Sequence, residues 1–137
     1  MKLNEILKKK RTLSFEVFPP KKDGSEELEK LYATIDTLKT LEPDFISVTY
    51  GAGGANARGA AEIAGHIKET GLEPLAHVTG GPSSPQEIDA LAEKLKSLHV
   101  ENVLALRGDK PVEYGAEYCK HFRHASDLLR YLAPYGF

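Results

Sequence analysis

The sequence predicts an α/β protein in which parallel strands alternate with helices. Four short apolar segments begin about 30 residues apart, which is the length of one strand-plus-helix unit. Between them, apolar residues recur at intervals of three and four, as they do along one face of an amphipathic helix. Strands that alternate with helices pair in parallel through right-handed crossovers. At 137 residues the chain is predicted to form a single domain, 1–137.

The first residues predict a short amphipathic helix. Within 1–11, Leu3, Ile6 and Leu7 fall on one helical face and lysines surround them. The alternative, an anchor at a membrane surface, is less favoured because the segment is short. The segment has no apolar stretch and no small-residue cleavage site, so we do not expect a secretion signal.

Four segments predict buried strands. Each is apolar and contains β-branched or aromatic residues, which pack well on a pleated surface. These segments are residues 12–18, 44–50, 73–79 and 102–106. Residues 135–137 are a candidate start of a fifth strand.

Apolar stripes predict the helices that follow the first and third strands. They consist of Leu28, Leu31, Ile35 and Leu38, and of Ile88, Leu91, Leu95 and Leu98. Ser25 is the predicted N-cap of the first of these helices. Ser84 and Glu87 have the spacing of a capping box for the other, with Pro85 in its first turn.

Two further helices are predicted from weaker patterns. Residues 56–70 are rich in alanine and are followed by Gly71, a glycine placed to end a helix. Residues 125–132 predict a short helix near the end of the chain.

Two architectures are built from such strand-plus-helix units, a small doubly wound sheet and a (β/α)₈ barrel of roughly 250 residues, of which this chain would form about four units. Periodicity alone leaves both open.

Composition excludes several classes of protein. The net charge of −2 argues against a surface that binds nucleic acid or anionic lipid. No apolar run reaches the roughly 18 residues of a membrane span. The one cysteine, Cys119, excludes an internal disulfide and a cysteine-rich metal site, and it is consistent with a cytoplasmic location.

Polar residues collect toward the carboxyl ends of the four predicted strands. Glu16 lies between Phe15 and Val17, an apolar setting that suits a general acid or base. Its alternative role is to pair with a neighbouring cation. In α/β folds the carboxyl ends of the strands form the face where ligands bind. We therefore expect Glu16 to belong to a functional site.

The other members of this set have alternatives of their own. Thr49 and Tyr50 end the second strand before a glycine-rich turn, 51–54, which lacks both the Walker and the dinucleotide-binding spacing. His77, near the end of the third strand, could equally be a structural histidine. The segment 107–109 (RGD) after the fourth strand could be a local ion pair. Their common position at the strand ends nevertheless favours a site.

The residue types narrow the chemistry of that site. No lysine lies in the core of a strand, which argues against a Schiff-base aldolase. No His-Glu-x-x-His motif or carboxylate cluster indicates a metal. An acid, hydrogen-bonding groups and glycine turns remain, and these fit an organic cofactor.

Five segments together resemble a known family. They are 14–21 (SFEVFPPK), 43–54 (PDFISVTYGAGG), 76–79 (AHVT), 104–109 (LALRGD) and 125–129 (ASDLL). In residue type, order and spacing this series is similar to that of the 5,10-methylenetetrahydrofolate reductases. A series of this kind is far more specific than one glycine motif.

The resemblance implies a fold, a reaction and a set of site residues. The fold is a TIM (β/α)₈ barrel that carries non-covalent FAD, with this chain covering about the first four units. The reaction transfers hydride from NADH or NADPH to the flavin, which then reduces 5,10-methylenetetrahydrofolate to 5-methyltetrahydrofolate for one-carbon and methionine metabolism. Glu16 matches the family's general acid, which helps to open the five-membered ring of the folate. Positions that contact the flavin or nicotinamide are matched by Thr49, Tyr50, Ala52, His77, Arg107, Gly108, Asp109 and Ala125.

Asp109 also matches a residue that contacts the folate. The resemblance covers nearly all of this chain but only about the first half of the family's catalytic domain. We therefore expect a cytoplasmic flavoprotein oxidoreductase sequence that either forms homo-oligomers or lacks a second half-barrel. The alternatives are a non-catalytic half-barrel that binds a partner chain or flavin only, and an unrelated doubly wound flavin- or nucleotide-binding module.

Overall fold

The chain folds as four strands that alternate with helices. The structure is a computed structural model and describes residues 1–20, 24–50, 57–110 and 118–137. The strands are β1 (Ser14–Val17), β2 (Phe45–Val48), β3 (Pro74–Thr79) and β4 (Val103–Leu106). The helices are α1 (Leu3–Lys9), α2 (Ser25–Lys39), α3 (Ala57–Glu69), α4 (Pro85–Ser97), α5 (Ala125–Leu132) and the 3₁₀ helix η1 (Ala133–Tyr135). The four predicted strands are confirmed, each a little shorter than predicted.

The strands form one parallel sheet in the order β1-β2-β3-β4. A doubly wound sheet would place β1 in the middle of the sheet, but here β1 lies at one edge. This order excludes the doubly wound alternative and is the order of consecutive units in a (β/α)₈ barrel.

The core lies between one face of the sheet and the helices. Ile46 and Val48 of β2 are fully buried against a cluster that includes Ile35 of α2, Ile63 of α3 and Leu128 of α5. Each such side chain contributes roughly 1.5–3 kcal/mol of burial free energy relative to remaining exposed. This packing holds the strands in register and therefore fixes where their carboxyl ends lie.

The ends of the helices can be compared with the capping residues that the sequence predicted. Ser84 caps α4 as predicted, since its hydroxyl accepts from the Glu87 amide at 3.3 Å and the Glu87 carboxylate accepts from the Ser84 amide at 2.8 Å. Gly71 follows α3 with φ of 89°, as expected for a glycine that ends a helix. The prediction that Ser25 caps α2 is wrong by one residue. Gly24 has the extended backbone of the cap and Ser25 is already helical, with no side chain capping the helix.

The predicted fifth strand is also wrong. The backbone at Ala133–Tyr135 forms η1, and Gly136 follows it with φ of 79°. Long-range bonds select this conformation, because the hydroxyls of Tyr131 and Tyr135 both donate to the Asp89 carboxylate of α4, at 2.8 and 2.6 Å. The tertiary contact thus overrides the local apolar pattern.

Candidate functional site

The side chains of each strand alternate between a face covered by helices and an open face. On the covered side, paired neighbours such as Val17 and Val48, or Val78 and Ala105, pack into the core. The alternate residues of the same strands lie on the other face. This open face displays Ser14, Glu16, Phe45, Ser47, Leu75, His77, Thr79, Leu104 and Leu106.

Glu16 is held at this face by two neighbours from the next strands. Its Oε2 accepts a hydrogen bond from the Ser47 hydroxyl at 3.3 Å, and it lies 3.7 Å from Nε2 of His77. Ser47 is the direct register partner of Glu16, whereas His77 reaches across from β3. The acid and the histidine, which are 61 positions apart in the sequence, are therefore side by side.

The environment of Glu16 differs from the apolar setting that its sequence neighbours predicted. Phe15 and Val17 lie on the covered face, and the Glu16 side chain is 47% exposed on the open face. The side chain of Glu16 is therefore not enclosed by these two apolar neighbours. The alternative role, in which Glu16 pairs with a neighbouring cation, is supported only in part. The neighbour is His77, which is a cation only when it is protonated.

His77 is the more buried partner of this pair, with a side chain that is 11% exposed. Burial lowers the pKa of its imidazole below the ordinary value, and the Glu16 carboxylate acts in the opposite direction. The neutral imidazole is therefore favoured near neutral pH. In that form one ring nitrogen donates a hydrogen bond and the other accepts one, which suits a group that holds a ligand or a carboxylic acid.

Thr49 and Tyr50 directly follow β2. The Thr49 amide donates to the carbonyl of Val17 at 3.1 Å, which continues the pairing of β1 with β2. Tyr50 is half-buried, and burial raises the pKa of its hydroxyl, while the nearby Ser83 side chain beyond β3 acts in the opposite direction. Both residues thus lie at the carboxyl end of the sheet, as predicted.

The segment after β4 brings a cation and an anion to the same end. Arg107 and Asp109 are exposed, and Nε of Arg107 donates to the carbonyl of Gly108 at 3.2 Å. Among the ion pairs of the described residues, none joins Arg107 to Asp109, so the local ion pair that the sequence allowed is not formed. Gly108 has φ of 84°, a conformation that favours glycine.

Two predicted residues remain, of which Ala125 is described and Ala52 is not. Ala125 is the first residue of α5, which packs against β4 from the covered side. Ala52 and the rest of the 51–54 turn lie outside the residues that the structure describes.

Sequence reasoning missed Ser47, Thr79 and Tyr118 as members of the strand-end region. Ser47 and Thr79 are buried polar residues on the open face, a position that alternation along the strands could have indicated. Tyr118 follows β4 by a segment with no periodic pattern, so nothing in its local sequence predicts its contacts.

Other sites are not supported by the described part of the chain. It contains no cluster of three or more histidine, cysteine or acidic side chains that could hold a metal ion. A cavity of about 490 Å³ lies near Val100 and Glu101, which precede β4, and is therefore at the opposite end of the strands. None of the described helices is both long and apolar enough to span a bilayer.

A parallel sheet with helices on one face, and with an acid, a histidine and an Arg-Gly-Asp turn toward its carboxyl ends, defines an α/β protein of the kind that binds ligands at this end. Comparison with known proteins identifies the family. The sequence profile of methylenetetrahydrofolate reductase matches residues 2–136. The chain therefore belongs to the methylenetetrahydrofolate reductase family.

Individual relatives agree with this assignment. The chain is 38% identical over 125 residues to 5,10-methylenetetrahydrofolate reductase of Pectobacterium carotovorum, covering 90% of this chain and 40% of the relative. It is 39% identical over 121 residues to the Escherichia coli protein of the same name, covering 88% of this chain and 39% of the relative. A maize relative, methylenetetrahydrofolate reductase (NADH) 1, is 38% identical over 133 residues, which is 90% of this chain and 21% of the relative. The chain thus spans about two fifths of the length of the bacterial relatives.

Proposed function

We propose that this chain contributes the general acid, Glu16, to a site that reduces 5,10-methylenetetrahydrofolate to 5-methyltetrahydrofolate. FAD is the proposed cofactor, and NADH or NADPH is the proposed hydride donor. The observation that carries the proposal is the Glu16 carboxyl group, held 3.7 Å from His77 on the open face of a sheet whose sequence belongs to the reductase family. As part of the same proposal, the sheet is the first four units of a (β/α)₈ barrel, and residues 1–137 form one domain within it.

The described residues fit a flavin at the carboxyl end of the strands. Exposed Arg107 offers guanidinium N–H donors, and His77 offers a donor or an acceptor in its neutral form. An extended polar cofactor needs such groups on several strands, and here they come from two neighbouring ones. When bound, the flavin supplies the hydride that reduces the folate. Thr49, Tyr50, Ala52, Gly108 and Ala125 are proposed as further contacts of the flavin or nicotinamide.

The role proposed for Glu16 is proton donation to the folate. Its partial exposure on the open face leaves the carboxyl group accessible to a substrate, whereas the same group on the covered face would be enclosed by helices. The Ser47 hydroxyl and the His77 ring restrict its position, so that the acid does not need to be oriented during the reaction. Asp109, exposed at the end of β4, is proposed to contact the folate.

The test separates the two half-reactions by stopped-flow absorbance. It uses the protein at the full length that its gene encodes, as wild type and as Glu16→Gln. We expect reduction of the flavin by NADH or NADPH to be unchanged, and reduction of the folate to slow by about 10² to 10⁴, the usual cost of losing a general acid. Glu26→Gln on the exposed surface of α2 is the matched control. A normal folate half-reaction in Glu16→Gln would refute the role of the acid.

A second candidate is a non-catalytic half-barrel that binds a partner chain. Its support is the apolar surface that the sheet leaves exposed, including Leu104, which is 40% exposed on the open face, and Phe18, which is 66% exposed beyond β1. Such a surface favours association with another copy or with further strands. Flavin absorbance in the purified protein supports the reductase, whereas a colourless oligomer that gains no flavin on titration supports this alternative.

A further inference from the structure

Tyr118 joins the two turns that follow β3 and β4. Its side chain is buried, with 8% of the residue exposed, and its hydroxyl donates to the Asp109 carbonyl at 2.8 Å. The next residue, Cys119, donates its amide to the Gly81 carbonyl at 2.7 Å. The chain therefore returns, after residues 111–117, to the carboxyl ends of the two strands.

Two glycines make room for the Tyr118 ring. A Cβ atom at Gly81 would lie 2.5 Å from Cζ of Tyr118 and 2.6 Å from its hydroxyl oxygen, far inside van der Waals contact. A Cβ atom at Gly108 would lie 2.9 Å from the same oxygen. The ring is thus packed directly on the backbone of both turns.

The two turns are also bonded to each other beneath the ring. The Gly81 amide donates to the Arg107 carbonyl at 2.8 Å, and the Gly80 amide donates to the Leu106 carbonyl at 2.9 Å. Gly108 lies between Arg107 and Asp109 in the left-handed conformation, and glycine there has more conformational freedom than any other residue. The hydroxyl of Tyr118 donates to the carbonyl of Asp109, the residue that follows this glycine.

We propose that Tyr118 is a positioning residue, which fixes the backbone at 107–109 so that the Arg107 and Asp109 side chains are presented to the flavin and the folate. This inference rests on the proposed function for its ligands, but the packing of Tyr118 on the turns does not. A hydroxyl that restrains the carbonyl of Asp109 reduces the conformational freedom that this turn would lose when a ligand binds. Tyr118 acts through the turn and contacts no reacting atom in this proposal.

The experiment removes only the hydroxyl group. Tyr118→Phe is compared with wild type and with Tyr135→Phe, which loses a hydroxyl bonded to Asp89 on the far side of the sheet from the open face. Fluorescence titration measures FAD affinity, and hydrogen exchange measures protection of the Gly81 and Cys119 amides. We expect FAD to bind about five- to tenfold more weakly to Tyr118→Phe, as for the loss of one hydrogen bond. We also expect both amides to exchange faster, with neither change in Tyr135→Phe.

The two readouts separate the inference from the function on which it rests. If the Gly81 and Cys119 amides exchange at the wild-type rate in Tyr118→Phe, the hydroxyl does not restrain the turns. If they exchange faster but FAD affinity is unchanged, the restraint exists but does not help the site to bind its ligand. If all three proteins fail to bind FAD, the flavin site proposed for this chain is refuted, and with it the role of Tyr118 toward a ligand. Faster exchange would then show only that Tyr118 restrains the turn.

Discussion

Gly108 offers a direct test of how tightly the strand-end turns are packed. In Gly108→Ala the new Cβ atom would lie 2.4 Å from Cγ2 of Thr79, and the backbone would keep φ of 84°. A left-handed conformation costs a residue with a Cβ atom roughly 1–2 kcal/mol. Overpacking a buried contact adds about 1–3 kcal/mol. We therefore expect the free energy of unfolding to fall by about 2–5 kcal/mol.

The matched control is Gly71→Ala, which has the same backbone requirement, with φ of 89°, and no atom within 4 Å of its Cβ. It should lose only the backbone contribution, about 1–2 kcal/mol. Thr79→Ser removes the methyl group that the new Cβ would meet, so in the Gly108→Ala background it should recover on the order of 1 kcal/mol as a coupling energy. Urea unfolding of the single and double variants measures these values. Equal losses for Gly108→Ala and Gly71→Ala, with no coupling to Thr79, would refute the packing described for this turn.

Two further predictions concern the pH dependence and the cap of α4. Because burial lowers the pKa of His77, the unfolded chain binds more protons at this residue than the folded one, so its contribution to stability is present above pH about 6.5 and is lost as the pH falls toward the lower folded value. In His77→Gln the stability measured by thermal unfolding between pH 7.5 and 5 should lack this loss, and an unchanged pH profile would contradict the burial of His77. Ser84→Ala should cost about 1 kcal/mol in urea unfolding, because it leaves the Glu87 amide uncapped. Ser97→Ala at the exposed end of the same helix should cost less, and equal costs would contradict the cap.

Local patterns predicted most of the fold because each βα unit carries its own signals. The α4 boundary illustrates this, since Ser84, Pro85 and Glu87 specify a helix start through bonds within one turn. The errors arose where a contact between residues far apart in the sequence determines the local structure. The 3₁₀ helix at 133–135 follows from hydroxyl bonds to Asp89, which is more than 40 positions away. No periodicity in the neighbourhood of Tyr135 contains that information.

The sequence predicted where in the fold the candidate site residues lie, but not which of them are in contact. The parallel order of strands places Glu16, His77 and 107–109 toward one end of the sheet, and this needed only the repeat length. The contact between Glu16 and His77 depends on register and on which face each side chain takes. Tyr118 was not predicted because its partners are backbone atoms of two separate turns, and such partners leave no side-chain pattern.

Alternation along the strands explains how an apolar segment can carry an exposed acid. In β1, Val17 faces the helices and contributes to the core, while its neighbour Glu16 faces away from them. The core contact and the proposed acid therefore lie on opposite faces of the same four residues. A change at Val17 removes core packing, whereas Glu16→Gln retains the side chain's shape and leaves the core face intact. Loss of the folate half-reaction in Glu16→Gln can consequently be attributed to the acid rather than to unfolding, provided that its thermal midpoint matches that of the wild type.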